Sequence, residues 1–173
     1  MAYASPSNLS DTFTESPMRR HTIAWLCLPL IIAANPVRAA DLLDTAERSG
    51  SFKTFLNAVR IAGLTRQLKV DGPYTVFMPT DNAFAQMPDA DWTALKKEPQ
   101  ALARLLRYHM VTGKLKITEV KPGTSASVAG PPLRLKSDNG MVTVNGVRVT
   151  ESDLQADNGI IHAVDEVLIP PGN

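Results

Sequence analysis

Residues 158–170 read NGIIHAVDEVLIP, an apolar run broken by a single histidine, His162, and followed by Asp165 and Pro170. The β-branched composition predicts the last strand of the chain, headed by a dipeptide, Asn158-Gly159, of the kind that turns a tight hairpin. His162 occupies a position that the pattern reserves for an apolar side chain, which predicts burial. A buried ring nitrogen without a partner costs on the order of 1–3 kcal/mol, so the imidazole is expected to donate to a backbone carbonyl or an acidic side chain.

The pattern upstream is similar in kind. From Val111 onward the chain is rich in β-branched residues with polar breaks. Asn139-Gly140 and Asn145-Gly146 join Asn158-Gly159 as turn signals, each expected to supply positive backbone angles. Before Val111 the period is helical. Phe52, Phe55, Leu56 and Val59 fall on one face, with Ser51 placed to cap that helix and Gly63 to end it. A short apolar run from Tyr74 to Met78, closed by Pro79, predicts a strand, after which Thr80 or Asp81 caps another helix. Pro99 suits a first helical turn, and Leu102, Leu105, Leu106 and His109 follow at i, i+3, i+4 and i+7. A second histidine thus ends an apolar stripe and is expected to pin helix to strand. The class is α+β, a hairpin-rich sheet with helices covering one face.

The front of the chain belongs to targeting. From Met18 the text runs MRRHTIAWLCLPLIIAANPVRAAD, two arginines and an apolar stretch too short for a stable span. Residues 1–39 are expected to be a secretory signal peptide cut before Ala40, with residues 1–17 an over-long start. Cys27, the one cysteine, leaves with it. Taking Arg19, Arg20 and Arg38 from the 18 basic residues, and Asp11 and Glu15 from the 17 acidic ones, leaves 15 of each. A neutral domain spanning residues 40–173 has no long-range field for nucleic acid or anionic lipid. No stable membrane insertion is expected after cleavage.

Catalytic and metal-binding patterns do not emerge. A closed zinc site needs four ligands, and residues 40–173 contain two histidines, His109 and His162, and no cysteine. There is no G-x-S-x-G elbow, and the glycines sit in turns and not in a phosphate cradle. Asp89, Asp91 and Glu98 read as helix starts and a solvated face. No cofactor and no catalytic residue is predicted.

Three segments together resemble the fasciclin domain. Residues 75–84, TVFMPTDNAF, look like its first signature, carried by Thr75, Phe77, Pro79, Thr80, Asp81, Ala83 and Phe84, with Met78 in place of a commoner small residue. Residues 108–113, YHMVTG, resemble its central Tyr-His segment. Residues 158–170 resemble its second signature, with Asn158, Gly159, His162, Asp165, Leu168 and Pro170 in place. The resemblance covers about residues 41–170 and implies a β wedge flanked by helices. It also implies a non-catalytic adhesion module that binds cell-surface or matrix proteins or glycans, secreted to the periplasm or beyond. In animal members a Tyr-His segment and an Asp-Ile pair are implicated in partner contact. By that likeness Tyr108, His109, Asp153 and Leu154 are candidate partner-binding residues, with a structural role for all four as the competing reading. The alternative function is a periplasmic carrier or sensor of a small molecule or metal, with His109 and His162 as ligands.

Overall fold

A computed structural model describes residues 40–138 and 140–171. The signal-peptide reading of residues 1–39, with Cys27, and the Asn139 half of one turn signal lie outside the described residues. No helix among the described residues is long and apolar enough to cross a membrane.

Among the described residues six α-helices form the front and middle. In α1 (Leu42–Ser49) the carboxylate of Asp41 accepts from the N–H of Asp44 at 2.9 Å, and Gly50 ends the helix with φ 74°. Helix α2 (Lys53–Ile61) buries Phe55, Leu56, Ala58 and Val59 on the expected face. Its cap corrects the Ser51 assignment: Phe52 holds the N-cap position and offers no hydrogen bond. The carboxylate of Asp81 accepts instead from Thr54 N at 2.7 Å and Lys53 N at 3.3 Å. A fixed negative charge there meets both the free N–H groups and the positive helix end. Gly63 terminates the helix as expected, with φ 70° and the N–H of Leu64 returning to Val59 O at 3.0 Å.

Helix α3 (Thr65–Val70) was not anticipated; only Leu68 of its residues is fully buried. In α4 (Asp81–Ala85) Thr80 is the cap, its Oγ1 accepting from Ala83 N at 3.3 Å, so Thr80 and Asp81 each serve a different helix. Helices α5 (Asp89–Lys97) and α6 (Pro99–Tyr108) meet at Glu98, with Pro99 opening the second as its composition predicts.

The strands are β1 (Tyr74–Pro79), β2 (Met110–Thr112), β3 (Gly123–Ala126), β4 (Pro132–Asp138), β5 (Met141–Val144), β6 (Val147–Ala156) and β7 (Gly159–Val164). They form one seven-stranded sheet ordered β2-β1-β7-β6-β5-β4-β3. Only β1 and β7 run parallel. A bridge between Val111 and Ser127 brings the two edges together, so the sheet nearly closes on itself.

Strand parity then divides the core in two. Val76 and Met78 of β1 and Ile161 and Ala163 of β7 pack with helices α1, α2 and α6. Phe77 and Val164 point the other way, into the barrel with Leu133, Leu135, Val142 and Val144. The central parallel pair is therefore buried on both faces, which explains why residues 158–170 read as a nearly continuous apolar run. On β4, Leu133 and Leu135 point inward, while Arg134 and Lys136 are exposed.

The turn signals differ in how they work. Asn145 and Gly146 take φ 55° and 91°, as a tight hairpin requires. Neither Asn158 nor Gly159 has positive φ, which corrects that expectation. Gly159 is needed for room: a Cβ there would collide with the carbonyl oxygen of Tyr74 and press on Leu42.

Candidate functional site

The signature residues converge on the joints between helices and sheet. His109 is the C-cap of α6 and has no exposed surface. Its Nδ1 donates to Leu105 O at 2.8 Å, and its Nε2 accepts from Leu168 N at 2.9 Å. The backbone partners require this assignment: a carbonyl can only accept and an amide N–H can only donate. The ring is thus neutral, with both nitrogens occupied. Burial pushes its pKa down from 6.5 to about 4, partly opposed by the bond to Leu105. Phe55 meets the ring edge-on at 6.3 Å. Together these contacts tie α6, α2 and the segment after β7.

His162 has the same arrangement one layer away. It is fully buried in β7, its Nε2 donates to Leu115 O at 2.8 Å, and its Nδ1 accepts from Asp153 N at 3.2 Å. Desolvation lowers its pKa, against the bond to Leu115 and the charge of Asp153. The ring stacks on Phe77, its partner in the parallel register, with centroids 5.4 Å apart.

Asp153 stands in a β-bulge of β6. Glu151 pairs with Ala163 and Leu154 with Ile161, so two residues oppose the single His162. Asp153 takes the extra turn with φ 59°, a left-handed conformation that, after glycine, asparagine and aspartate tolerate best. The bulge aims its N–H at His162 and its carboxylate at the N–H of Ile117, 2.9 Å away. Thr75 completes the joint, its hydroxyl donating to Gly113 O at 2.7 Å and accepting from Leu115 N at 2.8 Å. Thr75, Asp153 and His162 together hold four backbone groups of the link after β2.

The other signature residues are also structural ties. The side chain of Asn158 accepts from Leu42 N at 2.9 Å and donates to Leu68 O at 2.7 Å, fastening α1 and α3 to the start of β7. Asp165 accepts from Arg148 N at 3.2 Å. Tyr108 points into the barrel, 2% exposed, where its hydroxyl accepts from Asn145 Nδ2 at 2.7 Å. Phe77, Pro79, Ala83, Phe84, Leu168 and Pro170 are all buried.

Of the four candidate contact residues, Tyr108 and His109 therefore present almost no surface, whereas Asp153 and Leu154 are half-buried neighbours on β6. Among the described residues no three of His, Cys, Asp and Glu are grouped to hold a metal. Neither imidazole lines the groove of about 770 Å³ beside α5.

Residues 50–170 match the family model described as Fasciclin domain. The chain belongs to the fasciclin domain family. It is 38% identical over 135 residues to Protein sll1483 of Synechocystis sp., covering 77% of this chain and 75% of that one. The uncharacterized protein sll1735 of the same organism is 38% identical over 130 residues, 75% of this chain and 97% of that one. Human periostin is 33% identical over 133 residues, 75% of this chain but 16% of periostin. Among solved structures, the FAS1 domain pair from the insect cell adhesion molecule fasciclin I superimposes with a TM-score of 0.60 at 16% identity. That match covers 75% of this chain and 51% of the other, and it shows a shared fold. The fasciclin resemblance of the three segments and the α+β expectation both hold.

Sequence reasoning placed the two histidines correctly at a helix end and in the last strand, but it missed how many partners the polar signature residues have. Asn145 reads in sequence as a turn residue and Asn158 as a turn and signature residue, with no side-chain partner given to either. For Asn158 the available signal was its place in the second signature, directly before Gly159.

Proposed function

We propose that this fasciclin-family protein is a secreted, non-catalytic contact module that binds a cell-surface or matrix protein or polysaccharide through its outer surface. The observation that carries the reading is the state of the two imidazoles. All four ring nitrogens are engaged by backbone groups, so neither ring has a lone pair for an ion or a proton to shuttle. The carrier reading needs at least one of them free.

The structural relative fasciclin I is a cell adhesion molecule, which supports the same reading. Asp153 and Leu154 are the pair with surface to offer, while Tyr108 and His109 act by holding the elements beneath. A single small module binds weakly on its own, so adhesion of this kind gains from clustered copies.

The test is capture of envelope proteins, matrix proteins and glycans by the purified protein. Saturable retention of a surface component is expected. A stoichiometric metal found by native mass spectrometry would overturn the reading. So would a hydrolytic activity lost in His162→Ala while the fold persists.

A further inference from the structure

Helix α5 alone among the described α-helices buries no residue completely. Nine residues are too few to hold a helix by propensity, and α5 leans on α6 with an apolar flank left open. Ala94 and Leu95 of that flank face a groove of about 770 Å³. Leu105 of α6 and Met87 also line it, and Val167 and Ile169 come from the segment after β7. Ile169 is 65% exposed and adds an open aliphatic side chain to the groove's apolar wall.

The groove's charges are all of one sign. Asp91, Glu98 and Glu166 line it and are exposed, and among the described residues no lysine or arginine lines it. Among the described residues the ion pairs are Arg60 with Glu47 and Lys69 with Asp41 and Asp44, so none of the three groove carboxylates is neutralised. An apolar trough with three unpaired anions disfavours an acidic ligand and leaves an apolar ligand without cations only partly matched.

We infer that this groove docks a cationic amphipathic helix of a partner protein. Apolar side chains at i, i+3, i+4 and i+7 would seat against Met87, Leu95, Val167 and Ile169, and flanking lysines or arginines would meet Asp91, Glu98 and Glu166. The volume falls in the range of specific ligand clefts and accommodates a few anchors. The inference rests on the contact-module reading and names one face and one class of partner for it.

A fluorescent 14-residue peptide of leucine and lysine, with leucines at helical spacing, tests the site by anisotropy against the purified protein; its leucine–glutamate counterpart is the control. Saturable one-to-one binding of the lysine peptide is expected, weakened at least tenfold in 0.5 M salt, with none by the glutamate peptide. Glu166→Lys is expected to cost at least fivefold in affinity with an unchanged melting curve, since that carboxylate is exposed, lies outside every helix and is in no ion pair among the described residues. Ala101→Trp, which fills the groove, is expected to abolish binding.

Absent binding, equal binding of both peptides, or affinity unchanged in the charge-reversed variant overturns the inference. Dimerisation abolished by Ala101→Trp, without peptide binding, would assign the groove to a second copy. Failed peptide docking with intact surface capture defeats this inference alone; failure of both defeats the contact-module reading.

Discussion

Acid should destabilise this domain well before most of its carboxylates are protonated, and His109 sets the scale. Its imidazole has a pKa of about 4 in the folded state against 6.5 when free. Between those values the unfolded chain binds a proton that the folded chain refuses. Unfolding free energy therefore falls as pH falls, by about 1.4 kcal/mol per pH unit once the unfolded ring is charged. From pH 7 to 5 this amounts to roughly 2 kcal/mol, and by pH 4 to about 3 kcal/mol, after which the contribution levels off. Typical domains have only about 5–15 kcal/mol in total. The geometry explains the sign, because a proton added to Nε2 would face the N–H of Leu168 and not an acceptor. His162, also lowered by burial, acts in the same direction. Urea unfolding of the wild type and of His109→Gln at pH 7, 6 and 5 measures the effect. The wild type is expected to lose at least 2 kcal/mol, and the variant to show a slope shallower by His109's share. A wild-type stability that is flat over this range, or equal slopes in the two proteins, would refute the reasoning.

Other substitutions test the joints one at a time. His109→Ala leaves Leu105 O and Leu168 N–H without partners in a dry site, and His162→Ala takes the ring partner from Leu115 O and Asp153 N–H in a part-buried one. Each is expected to cost about 3 kcal/mol or more, with a melting temperature lower by roughly 10 °C in a scanning experiment. Asp81→Ala removes the cap of α2 and is expected to cost about 1 kcal/mol, whereas Ser51→Ala stays within about 0.5 kcal/mol; denaturant midpoints separate the two. Gly159→Ala forces a methyl group against Tyr74 O where β1 and β7 pair. It is expected to yield little folded protein, read by the yield of soluble material and its circular dichroism.

Much of the architecture follows from local pattern alone. The 3.6-residue spacing of Phe52, Phe55, Leu56 and Val59, the stop at Gly63 and the opening of α6 at Pro99 depend on neighbours within a few positions. So does the hairpin at Asn145-Gly146. Two histidines in apolar patterns likewise announced their burial, because few other environments suit a ring set among leucines and isoleucines.

Tertiary structure decided what each polar group meets. Asp81 caps a helix that begins 28 residues before it, Leu168 supplies the amide for His109 from 59 residues away, and the Asn158 side chain reaches Leu42 across 116. A hydrogen bond requires contact within about 3 Å, and sequence periodicity carries no information about which distant segments approach that closely. The groove beside α5 arises in the same way, where segments that are unremarkable singly leave an apolar hollow between them. Local spacing determines which faces are apolar; packing alone determines which of those faces stays uncovered.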